Sequence, residues 1–215
     1  MEKPPFEVIK ELQGWLLFWA RLEVAPGGEK LLSDLRSEVV RRARARLTAE
    51  GLAGHPPISA LRKLFHAAGC DPTRYRPSSE ALLRRVLKGE ELPSLHPLVD
   101  INNCLSVELA VPCCVMREGT FTPPLVLRAG REGESYDSLR GPFNLAGKPL
   151  LADACGPLDT PITGNEKVKI TPETETAWLV AYLPELAVTA ESVRDILLGL
   201  LESAPVARAS QISSS

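Results

Sequence analysis

Features that define several common functional classes are missing from this sequence of 215 residues. Its five cysteines are odd in number and none forms a CxxC pair, so the sequence predicts neither a disulfide framework nor a zinc site. The apolar cluster at 15–19 is too short to span a bilayer, and no basic segment precedes it as in a signal peptide. These absences predict a cytoplasmic protein that has no membrane partner.

Catalytic signatures are missing as well. The chain has no GxSxG elbow, no HExxH, no phosphate loop and no GxGxxG. Its three histidines, His55, His66 and His96, lie beside proline or in a helical stripe, which is typical of structural histidines. A net charge of −2 gives no overall attraction to nucleic acid, and DNA is not expected as a partner. The sequence therefore predicts no metal and no cofactor, and it identifies no catalytic residue.

The first 75 residues are predicted to form a mainly helical extension packed on the rest of the chain. Apolar residues at every fourth position from Leu31 to Leu47 predict a helix that stops before Gly51. A second helix fits 58–69, and a third is expected to begin at a cap on Ser78 or Ser79. The segment before them is ambiguous, because 8–22 has helical spacing while 15–24 also fits one strand.

After His96 the sequence changes character. Short strands separated by Gly, Pro and Asp turns are predicted at 123–130, 148–154, 167–171 and 176–184. A helix is predicted from Thr189, and the last ten residues, 206–215, read as a disordered polar tail. Helices at both ends with strands between them predict an α+β fold, with 76–205 as its core.

The stretch HPLVDINNCLSVELAVPCC, residues 96–114, places many polar side chains in an apolar run. Leu105, Val107 and Leu109 alternate as in a strand, whereas Ile101, Leu105 and Leu109 lie one helical turn apart. Periodicity alone leaves both structures open. The polar residues either brace the fold or line a pocket.

Three segments in the right order resemble the editing domain, called B3/4, of the beta chain of phenylalanyl-tRNA synthetase. The first matches a Val-Asp-x-Thr-Asn run and a following Leu-Glu-Leu-Gly-Gln-Pro run at Val99, Asp100, Asn103, Glu108, Leu109 and Pro112. The second matches an Arg-Ala-x-x-Gly-Glu turn at Arg128, Ala129, Gly133 and Glu134. The third matches the closing segment at Asp153, Gly156, Pro157, Gly164, Glu166, Val168 and Thr174. Together they cover 76–184, about half of the chain.

This resemblance implies a β-rich editing-domain core, a helix over 101–110 and a capping role for Asp100. It also implies hydrolysis of tRNA that carries a wrong amino acid, a second sieve after aminoacylation. Two departures from the family pattern weaken the inference of the activity more than the inference of the fold. Cys114 stands where the synthetase has a pocket histidine, and Pro142 and Phe143 stand where it has an acid. An inert buried thiol and a pocket-lining thiol both remain open for Cys114.

The function expected from the resemblance is a trans-editing aminoacyl-tRNA deacylase, and the alternative is a non-catalytic module that binds an amino acid or tRNA. The chain is too short to be a complete aminoacyl-tRNA synthetase. Residues expected to bind the substrate are Asn102, Asn103, Cys114, Arg128, Glu134, Thr163 and Glu166. Residues expected to bind tRNA are Arg41 and Arg42, from the cluster RRARAR, with Arg84 and Arg85. The arginine cluster has a competing interpretation as a solvated helix face. Each residue expected to bind substrate likewise has a competing structural interpretation, as a brace of the fold.

Overall fold

A computed structural model describes residues 1–138 and 141–215, and in this part of the chain helices and strands combine into an α+β fold, as predicted. The helices are α1 Glu29–Arg46, α2 Pro56–Ala67, α3 Ser78–Leu87, α4 Pro97–Leu109 and α5 Ala190–Ser203, with short 3-10 helices at Leu52–Gly54 and Glu166–Val168. The strands are β1 Val8–Lys10, β2 Trp15–Val24, β3 Cys113–Arg117, β4 Leu125–Ala129, β5 Ser135–Ser138, β6 Gly141–Asn144, β7 Pro149–Asp153, β8 Gly156–Asp159, β9 Thr176–Pro184 and β10 Ala207–Ser214.

The main sheet is antiparallel and has the strand order β10-β2-β9-β3. Strand β2 is buried on both faces, since Leu17, Phe18, Trp19 and Ala20 are all fully covered. Continuous burial explains why this segment shows no clean alternation in sequence. The structure selects the strand over the helix at 15–24. Strand β9, also buried along nearly its whole length, covers 176–184 as predicted.

A second sheet has the order β1-β4-β7-β8, and β5 pairs with β6 as a separate hairpin. Strands β4 and β7 confirm the strands predicted in 123–130 and 148–154. The short strand β1 joins β4 in parallel, so the N-terminal segment contributes to both larger sheets. The proposed division into an extension, 1–75, and a core, 76–205, stays a prediction.

Helix α4 settles the conformation of the ambiguous stretch. Leu98, Ile101 and Leu105 are fully buried, and the helix packs against α1, α5 and β3. Ala110, with φ 57°, ends the helix in the left-handed conformation. The helix predicted from the resemblance is therefore correct, and the polar residues within it lie at the junction of several elements.

The capping role expected of Asp100 is wrong. His96 is the N-cap, and its Nδ1 accepts a hydrogen bond from the Leu98 N–H at 3.3 Å. Asp100 lies one turn further on, where it accepts from the Leu95 N–H at 2.9 Å and pairs with Arg36 at 3.0 Å. Pro97 at the first helical position has no N–H, so one fewer backbone donor needs a cap. Asp100 instead ties α4 to α1 through its ion pair with Arg36.

Three further local predictions are wrong. The cap position of α3 is Pro77 rather than Ser78 or Ser79, because the Ser79 hydroxyl instead donates to the Ala110 carbonyl at 3.2 Å. Residues 167–171 form no strand; Glu166–Val168 is a 3-10 helix that the Asn165 side chain caps at the Lys167 N–H. The tail at 206–215 is ordered as strand β10 along the edge of the main sheet. No helix in the described residues is both long and apolar enough to cross a membrane.

Candidate functional site

A cavity of about 1040 Å³ lies where three separate parts of the chain meet. Helix α4 supplies Asn102 and Asn103, strand β3 supplies Cys113 and Cys114, and the loop after β8 supplies Ile162 to Asn165. Ligand sites in proteins have volumes of about 300–1,000 Å³, so this space lies at the upper end of that range. The asparagines, the two thiols and the glycine-bearing loop therefore line the same cavity.

Asn102 links two walls of the cavity and has an unused hydrogen-bonding atom. Its Nδ2 donates to the Cys113 carbonyl at 3.3 Å, which ties α4 to β3. Its Oδ1 is buried and has no hydrogen-bond partner among the described residues. A buried carbonyl oxygen left without a donor is costly, so this atom is a candidate acceptor for an N–H or O–H group of a ligand.

The two thiols of β3 are free and stay protonated at neutral pH. Burial raises the pKa of the Cys113 thiol and of the Cys114 thiol well above the ordinary value, and the nearby carboxyl of Asp159 raises that of Cys114 further. Only a thiolate is a competent nucleophile. The cavity therefore presents these cysteines as small, weakly polar wall residues.

Hydrogen bonds hold the loop after β8 in place. The Tyr136 hydroxyl donates to the Thr163 carbonyl at 2.7 Å, and the Thr160 Oγ1 accepts from the Thr163 N–H at 3.1 Å. The Asn165 carboxamide donates to the Pro157 carbonyl and caps the following turn. Because the backbone polar groups of Thr163 already have partners, its side chain is the part of the residue left for a ligand.

Asp159 is a fully buried acid directly behind this wall. The Tyr182 hydroxyl donates to its Oδ2 at 2.6 Å, while Oδ1 makes no hydrogen bond of ordinary geometry with the described residues. Burial raises the pKa of Asp159 to about 7, and favourable interactions with the Tyr182 hydroxyl, the Cys114 thiol and the Thr160 N–H only partly oppose it. Sequence reasoning missed this acid, because it ends β8, a strand that lies between the predicted strands at 148–154 and 167–171.

Four of the seven residues expected to bind substrate line the cavity: Asn102, Asn103, Cys114 and Thr163. The other three do not. Arg128 and Glu134 form a two-pronged ion pair at 2.7 and 2.8 Å. Glu166 is exposed and pairs with Lys169, and it is Lys169 that reaches the cavity. Arg128 and Glu134 brace β4 against the following turn, since Glu134 also accepts from the Arg131 N–H.

Of the four arginines expected to bind tRNA, only Arg85 lines the cavity. Arg41 pairs with Glu38, and Arg42 pairs with Glu38 and Glu108. Arg84 pairs with Glu80, a fully buried acid that Arg62 also contacts. Arg41, Arg42 and Arg84 already have carboxylate partners within the fold. Glu108 braces the fold through its ion pairs with Arg42 and Arg46 of α1.

Several residues at the cavity were not found from the sequence. They are Arg74, Tyr75, Arg76, His96, Phe143 and Lys169. Arg74 to Arg76 lie in a turn between two prolines, a signal that predicts a loop but not what the loop faces. His96 is half-buried, and burial lowers its pKa, so its ring is neutral at pH 7. In the described residues, no group of three or more metal-ligating side chains converges.

Fold and cavity together define the class: an α+β domain whose central sheet backs a ligand-sized cleft. The family model of the B3/4 domain matches residues 60–202, which is more than half of the chain. The chain belongs to the B3/4 domain family, and the relationship predicted from sequence is confirmed.

One solved structure to which the chain is similar is an N-terminal fragment of the phenylalanyl-tRNA synthetase beta subunit from Pyrococcus horikoshii, at 13% identity and a TM-score of 0.49. The alignment covers 97% of this chain and 51% of that one, so the chain spans about half the length of the fragment. A comparison with curated proteins finds no match.

Proposed function

We propose that this chain acts in trans on mischarged tRNA, hydrolysing the ester that joins a wrong amino acid to the 3′ end. The observation that carries the proposal is the meeting of the asparagines, the thiols and the glycine-bearing loop around one large cavity. Membership of the B3/4 domain family supports it. The volume leaves room for an amino acid together with part of the nucleotide to which it is attached.

The cavity walls favour a reaction by water rather than by a protein nucleophile. Both thiols are protonated, and the cavity lining in the described residues includes no carboxylate. In the proposed reaction water adds to the ester carbonyl, the ribose oxygen leaves with a proton, and the products are a free amino acid and uncharged tRNA. The protein's part is to orient the ester and that water through neutral groups such as the Asn102 carboxamide.

The decisive experiment measures release of free amino acid from a panel of mischarged tRNAs. We expect release from at least one, and we expect Asn102→Ala to lower kcat by roughly tenfold to a hundredfold, because it removes the unpaired Oδ1. Cys114→Ala should cost less than about tenfold, since it removes wall surface but no reacting group. Abolition of release by Cys114→Ala would contradict hydrolysis by water, and no release across a broad panel would reject the deacylase.

The alternative function is a binding module that holds an amino acid or the end of tRNA without cutting the ester. Its support is that the described residues lining the cavity include no carboxylate: Asp159 lies behind the wall, and the neutral ring of His96, which does line the cavity, uses its Nδ1 to accept from the Leu98 N–H. Ligand binding to the folded state raises the unfolding temperature. Stabilisation by an amino acid or by uncharged tRNA, without release from any charged tRNA, would select this function.

A further inference from the structure

The residues around the cavity mouth carry charge of one sign. Within the described residues, Arg74, Arg76, Arg85 and Lys169 line the cavity, all four are exposed, and no aspartate or glutamate lines it. The chain as a whole has a net charge of −2, so this arrangement is a local concentration rather than a general property. A concave, positively charged opening attracts and concentrates anions.

Two of these four cations have no carboxylate partner among the residues that the structure describes. Arg85 pairs with Glu90 at 2.9 Å and Lys169 pairs with Glu166 at 3.3 Å. Neither Arg74 nor Arg76 forms an ion pair with any described residue. The arginines of α1, in contrast, hold Glu38, Glu91 and Glu108. The unpaired positive charge of the mouth is therefore concentrated at positions 74 and 76.

Tyr75 anchors the short segment that presents these two arginines. The Lys148 ammonium group lies 4.0 Å from the centre of the Tyr75 ring, and Phe143 packs edge-on against it at 6.1 Å. The Tyr75 N–H donates to the Asp71 carbonyl at 2.9 Å, and the ring of Pro77 restricts the backbone that follows. The backbone is held while both arginines are exposed, and the Arg74 guanidinium carbon lies 5.1 Å from the centre of the Tyr75 ring, a contact that does not neutralise its charge.

We propose that Arg74 and Arg76 form a phosphate-binding site for the single-stranded 3′ end of an RNA whose last nucleotide enters the cavity. The site rests on the proposed function for the identity of the RNA as tRNA. Guanidinium groups bind phosphate oxygens in a two-pronged geometry. Two exposed arginines that lie two residues apart in the chain, neither of them paired with a described carboxylate, fit successive phosphates of a strand, because each phosphate contact adds binding through counterion release.

The test measures binding of uncharged tRNA, so it needs no hydrolysis. The variant Arg74→Ser/Arg76→Ser is compared with Arg194→Ser/Arg208→Ser, which removes the same charge at α5 and β10, outside the cavity lining. We expect the first to weaken binding roughly tenfold and to reduce the slope of log K against log salt by about 1.4, at ~0.7 per contact to a single strand. The control should stay within about twofold of the unchanged protein. Arg74→Lys/Arg76→Lys should recover part of the lost affinity, since lysine restores the positive charge but not the two-pronged hydrogen bonding of a guanidinium group.

A second arm separates RNA from small anions. Removing the unpaired 3′ nucleotides from the tRNA should weaken binding as much as the arginine substitutions, and the two changes together should cost no more than either alone. Equal binding of full and trimmed tRNA would overturn the proposal, as would equal loss in the two serine variants. Competition by adenosine monophosphate or inorganic phosphate without arginine-dependent binding of tRNA would also overturn it. Failure of deacylation alone would remove the proposed function and leave this site standing.

Discussion

Asp159 is the residue whose environment departs furthest from that of an ordinary surface carboxyl. It is fully buried, one oxygen accepts from Tyr182, and the groups around it include the Cys114 thiol and the Tyr136 hydroxyl. Burial raises the pKa of each of these neighbours as well, so all three stay neutral at neutral pH, and a thiol or a phenol cannot carry a compensating positive charge. Ionising Asp159 therefore places an uncompensated negative charge inside the fold.

This placement predicts how stability depends on pH. The pKa of Asp159 rises from its ordinary 3.8 to about 7 on folding, so the folded state holds its proton more tightly and stability falls as pH rises through this window. Between pH 5 and pH 8 the carboxyl should remove roughly 2–3 kcal/mol from the free energy of unfolding. Urea unfolding at the two pH values should show this loss in the native protein and not in Asp159→Asn. Parallel pH profiles for the two proteins would contradict the assignment.

Single residues also show what the sequence could and could not predict about the site. The position of Asn102, Cys114 and Thr163 at the cavity could be predicted, because backbone positions transfer between related sequences. Glu134 does not, because its ion pair with Arg128 depends on a side-chain geometry that no pattern reveals. Arg74 was missed because its place at the cavity depends on the packing of segments that are distant in the chain.

Among the elements, α4 and β2 were both ambiguous from the sequence. Each is covered on nearly every side. In β2 full burial removes the polar positions that would mark the period of a strand, whereas in α4 polar residues such as Asp100, Asn102 and Ser106 are themselves buried and obscure the helical period. The resemblance resolved α4, whereas tertiary packing was needed to resolve β2. Helices α1, α2, α3 and α5 have exposed faces and were all predicted from their apolar spacing.

Strand β10 could not be predicted, because its own side chains are mostly small and polar. Its order comes from its partner: Ala207 to Ser210 and then Ser213 and Ser214 pair with β2, with an irregularity between the two parts. The last residue adds two backbone hydrogen bonds to Leu17, and its hydroxyl accepts from the Trp19 indole N–H at 3.1 Å. The strand covers the free edge of β2, which is buried along most of its length.

We expect a chain ending at Val206 to be markedly less stable. Loss of the β10 ladder removes several backbone hydrogen bonds, each with a net contribution on the order of 1 kcal/mol, and exposes the edge of β2. Urea unfolding should show a loss of several kcal/mol, and amide exchange in β2 should accelerate. Arg208→Ala, which changes only an exposed side chain of the strand, should stay within about 0.5 kcal/mol of the native protein. An unchanged midpoint in the shortened chain would show that β10 contributes little.

At the scale of the whole molecule, arginines serve two separate purposes. Those of α1 hold acids of neighbouring elements, above all Glu108, whose side chain is only 9% exposed. Of those at the cavity mouth, Arg85 pairs with Glu90, whereas Arg74 and Arg76 form no ion pair with the described residues. The surface around α1 and the cavity mouth therefore differ in how their charges are paired rather than in the total charge of the chain.

This separation predicts that Arg42→Met lowers stability without weakening tRNA binding. Glu108 would keep only Arg46 as a partner, and losing one half of a largely buried ion pair should cost about 1–3 kcal/mol. Arg41→Met is the matched control, because Arg41 pairs only with the more exposed Glu38 and should cost under about 0.5 kcal/mol. Urea unfolding checks the first effect, and titration with uncharged tRNA the second. Weaker tRNA binding by Arg42→Met at full stability would place RNA on α1 instead.

The walls of the cavity come from segments that are far apart in the chain, beginning near Arg74 and ending near Pro172. No short fragment contains all of them, so the cavity forms only when the helices, β3 and the late loop have assembled. An occupant would hold these segments together and slow digestion by a protease at sites remote from the cleft. Resistance to proteolysis could then identify the natural ligand from a mixture, before any reaction has been assigned.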